Sequence, residues 1–107
     1  MARYQIEWSA EARLDLFDLL NFYLERNGNA VYSRKLNAEI RKSVKIISKN
    51  PFTGIKTSNE SAFIIFTGNY QIIYKVIDLT IVIVMIWDSR RNPENKTTLN
   101  HGSLNLT

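Results

Sequence analysis

The residues best equipped for chemistry stand together near the end of the chain, in Trp87-Asp88-Ser89-Arg90-Arg91. Each guanidinium carries a planar fork of N–H donors that fits a carboxylate or a phosphate. An aromatic beside arginines is also a frequent composition at the energetic centre of a protein interface. Trp87, Asp88, Arg90 and Arg91 therefore read as a target-contact surface. The plainer alternative is that Trp87 closes the core and Asp88 pairs with one of the arginines at the surface. A second concentration of charge lies upstream, where Arg34, Lys35, Arg41, Lys42, Lys45 and Lys49 meet a single acid, Glu39. Such a run suits an anionic partner, nucleic acid or acidic protein, and is equally what a solvated helix face looks like.

Other chemistries are excluded by what the chain lacks. With no cysteine there is no disulfide framework, thiolate nucleophile or thiolate metal site. The one histidine, His101, lies in a polar tail, and no Asp/Glu cluster has ligand spacing, so neither a metal nor a cofactor is expected. There is no Gly-rich phosphate loop and no Ser/His/Asp arrangement. The start, MARYQIEWSAEA, has no apolar signal region, and the longest apolar run, Ile81 to Trp87, is far short of the ~20 residues of a membrane span. A soluble cytoplasmic protein with no membrane partner is the expectation. Net charge is +4 over 107 residues, which ordinary solubility also explains.

The elements that must position these residues follow from periodicity. Tyr4, Ile6 and Trp8 alternate with Arg3, Gln5 and Glu7, the period of a half-buried strand. Ser9 offers a helix cap, and Ala10 to about Asn27 is helical, with Leu16, Leu20, Tyr23 and Leu24, flanked by Leu14 and Phe17, as its apolar stripe. Asn27-Gly28 stops it. Asn29 caps a second helix from Ala30 to about Lys49, whose apolar face is Leu36, Ile40, Val44 and Ile47. Asn50-Pro51 ends that helix and Gly54 completes a turn. Ala62–Thr67, Tyr70–Ile77 and Thr80–Trp87 are β-rich runs joined by connections of hairpin length, an antiparallel meander. The last strand is apolar on both faces and belongs inside the sheet. The fold class is α+β, in the order β-α-α-β-β-β, with two N-terminal helices packed on one face of a mainly antiparallel sheet. Residues 1–94 form one domain, and 95–107 are a polar tail expected to be poorly ordered without a partner.

That order, with these residues, resembles the RelE/ParE toxin superfamily of type II toxin–antitoxin systems. IEWSAEARLDLFDLLNFYLERNG is similar to the opening of the ParE branch, with its Ala-Glu-x-x-Leu-Asp-Leu helix and a Tyr near the helix end. NPFTG resembles the branch's Pro-x-x-Gly turn. GNYQIIYKVIDLTIVIVMIWDSRRNP resembles the superfamily's Gly-Tyr-Arg-x-x-Tyr strand, final hairpin and arginine-containing exit. The resemblance implies a cognate antitoxin as partner and a plasmid-stabilisation role. It implies one of two targets: DNA gyrase for ParE-like members, or mRNA on the ribosome for RelE-like members, which are endoribonucleases.

Attack by a 2′-hydroxyl on the RNA phosphate needs a base, a positive charge on the phosphate and an acid for the leaving oxygen. The resemblance implies an arginine in the Gly-Tyr-Arg strand, another after the final strand, and a Tyr or His beyond. Here the first is Gln71, which brings no charge, the second is Arg91, and no tyrosine follows Tyr74. The expected function is thus a ParE-like, gyrase-binding toxin rather than an enzyme. The alternatives are a ribosome-dependent nuclease and a degenerate member that only binds antitoxin. Gln71 and Lys75 share a strand face, and if it points away from the helices they could line one groove with Arg91, a weak candidate catalytic set. Tyr70, Tyr74 and Phe66 could stack on bases, or pack in the sheet. An exposed sheet edge could also make a homodimer.

Overall fold

In the computed structural model, residues 4–58 and 61–90 are described, and they run β1 (Gln5–Trp8), α1 (Ala10–Asn27), α2 (Val31–Lys49), β2 (Ile55–Lys56), β3 (Ala62–Thr67), β4 (Tyr70–Ile77) and β5 (Thr80–Asp88). The expected tail at 95–107 lies outside the described residues. Ser9 is the α1 N-cap: its Oγ accepts the Ala12 N–H at 3.0 Å. Gly28, at φ +74°, takes the left-handed turn that ends α1. The N-cap of α2 is Ala30 rather than Asn29, whose side chain stands one residue earlier and accepts the Val31 N–H at 3.0 Å. The two helices are tied by Ser33, whose hydroxyl donates to the Leu20 carbonyl at 2.7 Å.

The five strands are ordered β1-β5-β4-β3-β2. β1 runs parallel to β5 and every other pair is antiparallel; the helical hairpin carries the chain from β1 at one edge to β2 at the other, and the meander β2–β5 returns to pair with β1. β5 is an inner strand, as its two apolar faces require. β2 has no counterpart in the periodicity; it is two residues long and sits outside β3.

Register divides the sheet into two faces. Ile6 and Trp8, Phe63 and Ile65, Tyr70, Ile72 and Tyr74, and Ile81, Ile83 and Ile86 point to the helices. They meet Ala12, Leu16 and Leu19 of α1 and Leu36, Ile40, Val44 and Ile47 of α2 in one core. The α1 stripe differs from the periodicity reading. Leu16 is buried, and Leu20 and Tyr23 are partly buried, but Leu14, Phe17 and Leu24 are exposed, while Ala12 and Leu19 take the inner line. Residues apolar on several sides leave the helix phase undetermined, and packing on β5 decides it. Among the described residues no helix is long and apolar enough to cross a membrane.

β5 carries one irregularity. Ile73 pairs with Met85, but Tyr74 pairs with Ile83, leaving Val84 as an extra residue. Beyond β1, the free edge of β5 at this bulge is met by α1. Ser9 Oγ donates to the Val84 carbonyl at 2.8 Å, and the Asp15 carboxylate accepts the Ile86 N–H at 3.0 Å. Backbone groups that would invite another strand are thereby satisfied within the chain.

Candidate functional site

Past the bulge, β5 delivers Asp88 to the helix side of the sheet, opposite Tyr70. The chain then turns, and Arg90 folds back over Tyr70. Its backbone N–H and Nε both donate to Asp88 Oδ1, at 2.9 and 3.2 Å, and Nη2 reaches Oδ2 at 3.3 Å. Nη2 also lies 3.0 Å from the hydroxyls of both Tyr23 and Tyr70, and Tyr70 donates to Tyr23 at 3.2 Å. The guanidinium carbon stands 5.5 Å from the Tyr70 ring centre. Tyr23 is held from its other side by the Tyr32 ring, edge-on at 4.7 Å. One arginine is thus fixed by a carboxylate, two phenols and a ring face, on residues from α1, β4 and the end of β5.

The burial of the two partners differs. The Asp88 side chain is 8% exposed and that of Arg90 is 49% exposed. The carboxylate works inward as an anchor, and the guanidinium keeps a face to solvent. The Asp88 hydrogen bonds push the guanidinium pKa still further above its ordinary range, so it is a permanent cation. Burial, with the Tyr23 hydrogen bond adding to it, pushes the Tyr70 hydroxyl well above its usual range. Tyr70 is therefore a protonated phenol at neutral pH, donating to Tyr23 and accepting from Arg90.

This cluster forms one wall of a groove of about 420 Å³ lined by Asp18, Leu19, Phe22, Tyr23 and Arg26 of α1 with Asp88 and Arg90. Phe22 is half exposed, stands edge-on to Tyr23 at 4.9 Å, and carries Arg26 over its ring at 5.9 Å. The groove offers two guanidinium groups, two carboxylates and aromatic surface, a set suited to gripping a polypeptide. No group of three or more potential metal ligands occurs among the described residues.

The sequence-predicted site residues are not all brought together. Asp88 and Arg90 meet as described. Trp87 does not join them: it points from the opposite face of the sheet, paired with Gln71, and its shielded indole N–H has no partner among the described residues. Trp87 thus lies on the other face from Asp88, and the residues gathered with Asp88 and Arg90 are Tyr23 and Tyr70, because successive strand residues take opposite faces. Gln71 and Lys75 do lie on the face away from the helices. Gln71, however, is 3% exposed and its amide donates to Ser89 Oγ at 3.1 Å, so it lines no open groove. Lys75 is four residues along the strand, roughly 13 Å away. Arg91, placed in both candidate sets, lies outside the described residues, as does His101. Tyr74 is fully buried against Phe63, and of the aromatics proposed for stacking only Phe66 is strongly exposed, at 52%.

Sequence reasoning missed Tyr23 and Tyr70 as the partners of the exit arginine. The available signal was a tyrosine near the end of α1 and another directly after the Gly68-Asn69 turn, 47 positions apart.

Comparison with known proteins agrees with this architecture. The family model described as ParE toxin of type II toxin-antitoxin system, parDE, matches residues 6–93. Among solved structures, a chain of the chromosomal ParDE toxin–antitoxin system from P. aeruginosa superposes with a TM-score of 0.71 at 18% identity, covering 80% of this chain and 96% of that one. A chain of the RelBE2 toxin–antitoxin complex from Mycobacterium tuberculosis superposes with a TM-score of 0.59 at 21% identity, covering 81% and 99%. No curated protein sequence matches. At these identities the superpositions speak for the fold, and the family match speaks for the lineage. With a matched span reaching from β1 through the arginine exit, the chain belongs to the ParE toxin family of type II toxin–antitoxin systems.

Proposed function

We propose that this toxin stops growth by binding a host protein, DNA gyrase being the expected target, and that a cognate antitoxin neutralises it by covering part of the same surface. The observation that carries the reading is the state of Arg90: held by Asp88, Tyr23 and Tyr70, with half of its side chain open beside the exposed Phe22. An anchored, half-open guanidinium next to an exposed ring is what a protein partner can dock on. A phosphodiester-cleaving site asks for more. Among the described residues, Gln71 is buried on Ser89 and the Tyr70 hydroxyl is held protonated, so neither supplies the phosphate-binding charge or the base that the reaction needs.

The test uses purified full chain with purified gyrase and relaxed plasmid. Loss of supercoiling that is restored in the Arg90→Ala variant, with the fold retained by circular dichroism, is the expected outcome. Codon-positioned cuts in mRNA from arrested cells, with supercoiling untouched, would overturn it.

A further inference from the structure

α2 holds six of the fourteen basic residues and one of the ten acids, so it carries a net +5 while the rest of the chain carries −1. The whole positive character of this protein resides on one helix. On a helical wheel of about 100° per residue, the six cations fall within an arc of about 120°, and Glu39 lies outside it. That arc is opposite the buried line Leu36, Ile40, Val44 and Ile47, and all six cations are exposed. Arg41 is partly engaged, over the Trp8 ring at 5.4 Å and on Asn37 at 3.3 Å. Lys35, Lys42, Lys45 and Lys49 have no ion pair among the described residues. From Lys35 to Lys49 the stripe runs about 21 Å along the helix axis.

From this placement we infer that the outer face of α2 is a docking surface for the phosphate backbone of duplex DNA. Charge complementarity carries the assignment. Over about 21 Å a duplex presents roughly twelve phosphate charges, so a straight row of ammonium groups meets a continuous line of counter-charge. Lysine is depleted at protein interfaces, whose energy comes from buried aromatic and arginine anchors. Between Lys35 and Lys49 the arc has no aromatic residue, its one arginine, Arg41, is laid over the Trp8 ring, and its one apolar member is Ala38. Single-strand binders alternate cations with stacking rings, which this arc also lacks. The contact is therefore sequence-independent and salt-sensitive. It is independent of the Arg90 groove, so a gyrase-free assay tests it whatever the fate of the proposed function.

The experiment is fluorescence anisotropy of a labelled mixed-sequence 30-base-pair DNA duplex titrated with the full chain between 50 and 200 mM salt. Four lysine–phosphate contacts give a slope of log K against log salt of about −3.6. Lys42→Glu with Lys45→Glu weakens binding roughly tenfold or more at the lowest salt and reduces the slope by about 2. Lys42→Gln with Lys45→Gln gives a smaller loss in the same direction. Lys56→Glu with Lys75→Glu changes net charge by the same amount away from α2 and leaves most of the affinity. The inference is overturned if the two charge-reversal pairs lose affinity equally, if no binding occurs at 50 mM salt, or if polyglutamate or duplex RNA competes better than unlabelled DNA.

Discussion

Tyr74 and Gly54 make the sharpest test of how the turn after α2 is held to the sheet. The Tyr74 ring is fully buried and stacked on Phe63 at 5.5 Å. Its hydroxyl donates to the Pro51 carbonyl at 2.9 Å and accepts the Gly54 N–H at 3.0 Å. Tyr74→Phe keeps the ring and its packing but leaves a buried carbonyl and a part-buried N–H without partners. At about 1–3 kcal/mol for a buried polar group left unsatisfied, with Gly54 able to recover some hydration, the loss is about 2 kcal/mol. For a chain this size that is a fall in Tm of roughly 10 °C. Gly54 does not occupy the left-handed region, so alanine there is not a backbone problem. An added Cβ would instead stand 2.6 Å from the Tyr74 hydroxyl and 2.8 Å from the Ile64 carbonyl. Gly54→Ala should therefore cost about 2–3 kcal/mol as overpacking. In the double variant the hydroxyl is gone and only the Ile64 contact remains severe. The combined loss then falls short of the sum by about 1 kcal/mol, a coupling typical of touching residues. Urea unfolding followed by tryptophan fluorescence measures all three variants. Strict additivity, or a Tyr74→Phe loss below about 0.5 kcal/mol, would refute the account.

Three further outcomes are expected. Ser9→Ala removes the α1 cap and the bond to the Val84 carbonyl together, lowering stability by about 1–2 kcal/mol in urea denaturation. Asp15→Ala strands the Ile86 N–H and costs about 1.5–3 kcal/mol, whereas Asp15→Asn, which keeps an acceptor, recovers most of it; equal losses would remove the hydrogen bond from the explanation. Burial raises the Tyr70 and Tyr74 hydroxyls above the ordinary 10.0, so above pH 10 the unfolded chain releases protons that the folded chain keeps. Their stabilising effect is complete below pH 10 and declines at up to about 1.36 kcal/mol per pH unit for each group, so Tyr70→Phe flattens the alkaline limb of a stability–pH curve.

What the sequence disclosed depended on whether a residue's role was local. Ser9, Gly28, Asn29 and the two hairpin turns act within a few positions of themselves, and each does what its type suggests. The basic face of α2 was legible for the same reason, since helical spacing alone puts its cations together. β2 was not legible, because two residues held by backbone pairing to Phe63 and Ile64 leave no side-chain period. Gly54 was readable as a turn residue, but its reason is an oxygen twenty positions away. The Arg90 cluster joins residues 23, 70, 88 and 90, and no local rule links a helix tyrosine to the end of the last strand.

The decisive non-local event at the site is one extra residue. Ile81 and Ile83 face the helices, and strict alternation along β5 would send Met85 and Trp87 after them and put Asp88 on the far face. Val84, left over in the pairing with β4, reverses the phase, so Ile86 and Asp88 turn inward and Trp87 turns out. Only then can Asp88 sit opposite Tyr70 and hold Arg90 against both tyrosines. A strand apolar on both faces hides such a reversal from periodicity, because either phase buries isoleucine and valine. The bulge is in turn fixed from α1, by Ser9 on the Val84 carbonyl and Asp15 on the Ile86 N–H. The helix that lines one wall of the groove thus also sets the strand phase that builds the other. Loosening the bulge through Asp15 should disturb the Arg90 cluster although Asp15 is not among its hydrogen-bonding partners.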